Sequence, residues 1–312
     1  MNSILNSLYF VPQFAKYFSS PLGGSKRGIA YLLSSFVSQY GRMQVNEDLL
    51  WRIREYFPQF RRGIMGSAYD FLLKLLEVLD EENSEYVGTV PLESKYDAAN
   101  TWMSELERYR TTGCRELHEA FSLMIEETRQ CSHCKKLSVK YFYQRTLSLD
   151  LITEKEKMNL KESRPKRQAR TPSSLSIESC LRCYCATETD ALDATHSCQH
   201  CRKDRVHITQ KSFKHIGSVL VIYLQRYHSF YSDAQVSVPE VLDMSTYLPE
   251  AGRYRLSAAI RHEGSRESGH YTCFVRIASE WMFCNDTRVE IGNPAESYLN
   301  SSTLFIYLKA PY

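Results

Sequence analysis

The chain is predicted to adopt an α+β fold, because helical and strand-like apolar patterns are segregated along it and a pair of cysteine knuckles stands between them. Apolar residues recur at helical spacing through the first third. After Val219 the pattern changes to short strand-like runs separated by Gly, Pro and Ser. Between these halves, Cys-x-x-Cys occurs at Cys131 and Cys134 and again at Cys198 and Cys201.

In chain order, Ile29, Leu32, Leu33, Phe36 and Val37 form one apolar stripe, and Phe71, Leu72, Leu75, Leu76 and Leu79 a second. Both are core faces of helices. Residues 117–124 are also apolar-periodic and lead to the first knuckle, while residues 139–151 alternate aromatic and polar side chains as strands do. Residues 153–174 are rich in charge and poor in apolar side chains, so a solvated, disordered insertion is expected there. Residues 154–170 hold seven Lys or Arg against three Glu, whereas the whole chain carries only +3. Positive charge is therefore local, which argues against a nucleic-acid-binding body. The run Arg164-Pro165-Lys166-Arg167-Gln168-Ala169-Arg170 fits a solvated loop more readily than a nuclear-localisation patch. No internal repeat is present.

At 312 residues, 43% hydrophobic and 12% aromatic, the chain is long enough to bury a large core. No apolar run approaches the roughly 20 residues of a membrane span, and the first residues lack the pattern of a signal peptide. An intracellular protein, cytoplasmic or nuclear, is expected. Its 10 cysteines would then be reduced, which points the regularly spaced ones to metal rather than to disulfides. Two knuckles can present Cys131, Cys134, Cys198 and Cys201 tetrahedrally to a structural Zn²⁺, leaving no open position for catalysis. Cys180-Leu181-Arg182-Cys183, with Cys185 nearby, is a competing Cys-x-x-Cys.

Chemistry concentrates near the C-terminus, where Gly269-His270-Tyr271-Thr272 is followed by Trp281 and then Asn285-Asp286. An imidazole whose far nitrogen is held by Asn or Asp is fixed in one tautomer and can take a proton from a thiol. Glycine before the histidine lets backbone approach closely. Cys273 and Cys284 alternate to the opposite strand faces from His270 and Asn285, so both are read as small core residues.

The stretch from Leu256-Ser257-Ala258-Ala259-Ile260-Arg261-His262-Glu263-Gly264 through His270 to Asn285-Asp286 and Val289 resembles the histidine box of the ubiquitin-specific proteases. Val219-Leu220-Val221-Ile222-Tyr223-Leu224-Gln225-Arg226-Tyr227 is similar to that family's apolar strand with its basic-aromatic end. Met1-Asn2-Ser3 resembles the last part of Cys-Tyr-Met-Asn-Ser, with which the family's nucleophile helix begins. The resemblance implies a papain-like cysteine peptidase with thumb (about 1–115), fingers (about 116–217, carrying a zinc ribbon) and palm (about 218–312) in a single domain. It implies hydrolysis after the C-terminal glycine of ubiquitin or a ubiquitin-like modifier on ubiquitinated proteins, with no cofactor for the chemistry. His270 would be the general base, Asn285 its orienter and Asp286 a polar neighbour or alternative orienter. The nucleophilic cysteine is expected just upstream of Met1, and a bare α-amino group at that helix start would cost about 0.3–1 kcal/mol. A catalytically inactive ubiquitin-binding scaffold is the alternative, and a zinc-dependent nucleic-acid adaptor a weaker third.

The family's Gln-Gln-Asp-x-x-Glu-Phe-like segment aligns with Met65-Gly66-Ser67-Ala68-Tyr69-Asp70-Phe71, which keeps only Asp70 as a carboxylate. One charge-assisted contact to a modifier tail is thereby lost, implying weaker ubiquitin affinity or another modifier. Asp70, Tyr271 and Gly269 are the expected substrate contacts. Gly264 and Gly269 bracket a loop that can gate a narrow cleft or serve as an ordinary hairpin turn. His262 is read as a structural or loop histidine.

Overall fold

In the computed structural model Ile29 and Leu33 of the first stripe and all of the second are buried in one core with residues of a large sheet, and Leu32 packs against it partly buried; the side chains of Phe36 and Val37 lie outside the described residues. The structure describes residues 1–9, 11, 12, 14, 28–40, 47–60, 66–82, 101–151, 175–190, 196–226, 233–265, 268–286 and 288–310. The expected insertion at 153–174, its basic run, Met65, Tyr227, Arg266 and Glu267 lie outside them.

Helix α1 (Asn2–Tyr9) buries Ile4, Leu5 and Leu8; α2 (Ile29–Tyr40) buries Ile29 and Leu33; α3 (Glu47–Tyr56) buries Leu50 and Ile53. In α4 (Ala68–Glu82) all five stripe residues from Phe71 to Leu79 are fully buried. Helix α5 (Trp102–Thr112) starts on Thr101, whose side chain accepts the Ser104 N–H, and α6 (Arg115–Ala120) follows it. The apolar segment 117–124 therefore divides: the helix stops at Ala120 and strand β1 (Leu123–Cys131) begins three residues later. Inward apolar residues suit either period in so short a run, and pairing with two neighbouring strands decides for β.

Strand β1 lies between β2 (Leu137–Gln144) and β8 (His207–Ile216), both antiparallel to it, and β5 (Glu188–Thr189) completes this four-stranded sheet beyond β8. Between them in sequence come β3 (Leu147–Leu149), β4 (Leu175–Ser176), α7 (Ile177–Cys185), β6 (His196–Cys198) and β7 (Lys203–Arg205). The eight-stranded sheet contains β3, β9 (Val219–Leu224), β11 (Val241–Asp243), β12 (Arg253–Gly264), β13 (Gly269–Ile277), β14 (Glu280–Asn285), β15 (Arg288–Ile291) and β16 (Leu304–Lys309). Its path runs β15-β14-β13-β12-β16-β9-β3, with β11 on β12; β10 (Val236–Ser237) pairs with β4, and α8 (Glu296–Ser301) precedes β16.

Both faces of this sheet are covered, which explains the near-continuous apolar run of β9. Val219 and Val221 join the helical core, whereas Leu220, Ile222 and Leu224 join a second core with Leu149, Ile177 and Phe305. Cys180 and Cys183 of the competing motif are buried in or beside that second core on α7, and burial pushes the Cys185 thiol up to about 11. Two residues past β9, Arg226 has its guanidinium buried, donating to the Ser302, Ala234 and Asn300 carbonyls at 2.6–2.9 Å.

A half-buried polar cluster around the buried His118 ties the helices to the four-stranded sheet. Asp80 of α4 accepts the Cys114 N–H at 2.5 Å, faces His118 Nε2 at 3.0 Å and pairs with Arg145, while the other His118 nitrogen meets the Tyr143 hydroxyl. Burial would raise the Asp80 carboxyl, but the His118 hydrogen bond and the Arg145 charge hold it below its usual value. Gly113 is required here, since a Cβ would lie 2.2 Å from His118 Nε2.

His215 of β8 gives this region a pH dependence. Its Nε2 lies 2.9 Å from Ser122 Oγ, and burial, helped by Arg110, lowers its pKa to about 4. Between pH 4 and 6.5 the folded chain binds fewer protons at this site than the unfolded chain, so stability falls as pH drops through that window. His215→Gln should reduce the fall in melting temperature between pH 6.5 and 4 by about 2 °C, read by calorimetry; an unchanged fall would remove His215 from the account.

Candidate active site

His270 and Asn285 stand near adjoining ends of the antiparallel neighbours β13 and β14. His270 Nε2 is 2.7 Å from Asn285 Oδ1. An amide oxygen only accepts, so Nε2 carries the proton and Nδ1 is left as the basic nitrogen. Asp286, with φ at +52°, occupies the left-handed region and turns the chain after β14. Its carboxylate accepts the Asn2 side-chain amide at 2.8 Å and stands 3.9 Å from His270 Nε2. Asn285 is thus the direct partner of the imidazole, and Asp286 connects it to the opening helix. The bridging contact from Asn2 is not among the expected site contacts, since neither segment by itself signals it.

The start of α1 lies at the same point. The Met1 carbonyl accepts the Ile4 and Leu5 N–H groups at 3.0 Å, and burial lowers the Met1 α-amino group to about 6 against the opposing pull of Asp286. Cys273 and Cys284 are direct partners across the β13–β14 ladder and are buried on the helical side, packed in the core that includes Ile4 and Leu8. Burial raises the Cys273 thiol well above its ordinary value. Both therefore behave as core residues.

One wall beside His270 is the first turn of α4. The Ser67 carbonyl accepts the Phe71 N–H, and its hydroxyl accepts the Tyr69 N–H at 3.1 Å, so Ser67 is the N-cap of the helix. Asp70 is exposed in the turn that follows. The Tyr271 phenol lies against the Ala68 N–H and the Ser67 hydroxyl, with its pKa raised by burial. Gly269 is hemmed in: a Cβ would fall 2.2 Å from His262 Nε2 and 2.5 Å from the Glu263 carbonyl. His262 packs its ring against Tyr271 with centroids 4.5 Å apart, and burial lowers its pKa. Gly264, at φ +132°, and the Ser265 N–H to Ser268 carbonyl bond at 2.7 Å form a hairpin turn. Tyr69 and Tyr223, which sequence reasoning did not single out, stack against each other in this wall. Their signal would have been the pairing of two aromatic side chains from a helix start and a buried strand.

At the far end of the four-stranded sheet, Cys131, Cys134, Cys198 and Cys201 bring their sulfurs within 4.8 Å of one another. Cys131 and Cys201 are 3.9 Å apart, and Cys134 and Cys198 3.8 Å. A tetrahedral metal with ~2.3 Å arms to sulfur requires edges of about 3.8 Å, so the donor set fits such an ion. Both knuckles turn alike: Lys135 and Arg202 have φ of 58° and 52°, and their N–H groups bond to the carbonyls of Cys131 and Cys198. The Cys134 backbone N–H helps lower the Cys131 thiol to about 6, whereas the neighbouring sulfurs push Cys201 up to about 12. A bound cation would relieve that crowding. No other cluster of this kind occurs among the described residues. None of the described helices is long and apolar enough to cross a membrane.

The family description "ubiquitin carboxyl-terminal hydrolase" matches residues 1–307. Among curated proteins, the chain is 28% identical over 262 residues to ubiquitin carboxyl-terminal hydrolase 3 of Homo sapiens, covering 78% of this chain and 49% of that protein. It is 23% identical over 281 residues to ubiquitin carboxyl-terminal hydrolase 51 of Mus musculus, covering 83% and 40%. The chain thus spans less than half the length of either relative. Its fold is similar to the yeast SAGA DUBm with an Sgf73 mutant, at TM-score 0.73 and 20% identity over 100% of this chain and 66% of that one. It is also similar to the SAGA Ubp8/Sgf11/Sus1/Sgf73 DUB module bound to ubiquitin aldehyde, at TM-score 0.71 and 19% identity over 100% and 67%.

Proposed function

Because this chain belongs to the ubiquitin carboxyl-terminal hydrolase family, we propose that it forms the histidine-bearing body of a thiol-dependent deubiquitinase cutting after the C-terminal glycine of ubiquitin. The observation that carries this reading is the 2.7 Å bond from His270 to Asn285, with Asp286 tied to Asn2 at the start of α1. His270 Nδ1 takes the proton of a cysteine thiol and returns it to the leaving amine; Asn285 holds the ring, and Asp286 holds the helix beside it. This reading assigns the nucleophilic sulfur to the N-terminal side of Met1, because unpaired N–H groups at a helix start favour thiolate over thiol.

Asp70, Tyr271 and Gly269 contact the modifier's tail. With Ser67 committed to capping α4, Asp70 is the carboxylate available to that tail from this turn. The ion held by Cys131, Cys134, Cys198 and Cys201 is a structural Zn²⁺ at the tip of the fingers, and the chemistry needs no cofactor. Thumb, fingers and palm follow the boundaries near 115 and 217. Ubiquitin and ubiquitinated proteins are the partners, in the cytosol or nucleus.

A chain with Cys-Tyr appended ahead of Met1 tests the reading. It should hydrolyse a fluorogenic C-terminal amide of ubiquitin and form an adduct with a ubiquitin propargylamide, while the chain beginning at Met1 does neither. A second reading, a ubiquitin-binding scaffold without activity, is favoured by the inward facing of Cys273 and Cys284. Ubiquitin binding by the extended chain with no turnover and no adduct would establish that reading instead.

A further inference from the structure

Tyr69, near the start of α4, and Tyr223, on β9, belong to different layers, yet their rings stack with centroids 4.0 Å apart and planes 7° from parallel. Rings in face-to-face contact leave no space for a peptide between them. The Tyr69 hydroxyl is bonded to Thr146 Oγ1 at 3.0 Å, and Thr146 is itself buried between β2 and β3. Tyr223 is the one side chain of β9 that is not fully buried. Burial pushes its phenol up to about 12, so it stands neutral in the wall. Asp70 follows Tyr69 in the chain, and Tyr271 follows His270; both side chains act electrostatically on Tyr223. The stacked pair therefore bridges helices and sheet beside the groups assigned to the modifier's tail.

We propose that Tyr69 and Tyr223 form an aromatic latch across the approach to His270, which the C-terminal tail of ubiquitin must part in order to enter. The latch rests on the ubiquitin-binding reading above. It opposes binding by the free energy of the stack, because the binding-competent form is the one in which the rings have separated. Thr146 sets the strength of the latch by holding the Tyr69 ring in place.

Isothermal titration of ubiquitin into the whole chain and its variants tests this. Tyr223→Ala should bind ubiquitin about two- to tenfold more tightly than the unsubstituted chain, the worth of one aromatic stack. Thr146→Val, which keeps both rings, should tighten binding to a smaller degree, and Asp70→Ala should weaken it. If Tyr223→Ala binds equally or less well while Asp70→Ala still weakens binding, the latch is overturned and the ubiquitin reading stands. Binding by Tyr223→Ala alone, with the unsubstituted chain silent, supports the latch. Silence from every variant overturns both. Should Tyr223→Ala fail to fold, Thr146→Val decides: tighter binding supports the latch and unchanged binding overturns it.

Discussion

His270→Ala, made in the chain carrying Cys-Tyr ahead of Met1, is expected to lower the rate of ubiquitin-amide hydrolysis by about 10²–10⁴-fold, the usual worth of a positioned acid–base group. In the proposed mechanism two proton transfers depend on this ring, whose Nε2 lies 2.7 Å from the Asn285 oxygen. Asn285→Ala should cost less, because the imidazole remains but loses its fixed tautomer. In either variant ubiquitin binding should persist, since the tail contacts assigned to Asp70 and Tyr271 come from elsewhere. Full activity in His270→Ala would end the acid–base assignment, whatever the fate of the Asn285 variant.

Cys198→Ser is expected to remove the bound metal and unfold the end of the four-stranded sheet while sparing the eight-stranded one. The knuckles connect β1 to β2 and β6 to β7, and neither loop has an apolar core of its own: Leu137 and Val139 are exposed. Their order depends on the four sulfurs and whatever ion those hold. Structural zinc contributes on the order of 10 kcal/mol in isolated knuckle peptides, far more than one hydrogen bond. Atomic absorption should therefore show about one zinc per chain before the substitution and none after it. Hydrogen exchange should show lost protection in β6, β7 and the Cys131 end of β1, with β9, β12 and β16 unchanged. Retained protection at the knuckles without metal would refute the structural role.

Much of the architecture was legible in local pattern. The stripe from Phe71 to Leu79 is a buried helix face, and the apolar run 219–224 is a strand covered on both sides. Residues 117–124 were not divisible from sequence, because an inward pattern a few residues long satisfies both periods until neighbouring strands supply hydrogen bonds. The competing cysteine pair at 180 and 183 could not be dismissed by spacing either. Only its burial on α7 does so, whereas the true cluster shows itself by four sulfurs converging.

By itself the sequence determined the residue types of the site: an imidazole, an amide after a strand, and two thiol pairs at metal spacing, because chemistry of this kind depends on side-chain identity and short-range order. What tertiary structure alone decided is which groups meet. Asn2 reaches Asp286 from the opposite end of the chain, Ser67 is drawn into capping α4, and Tyr69 closes onto Tyr223 between layers. Those contacts depend on how helices dock onto a twisted sheet, a packing property that no single stretch of residues encodes.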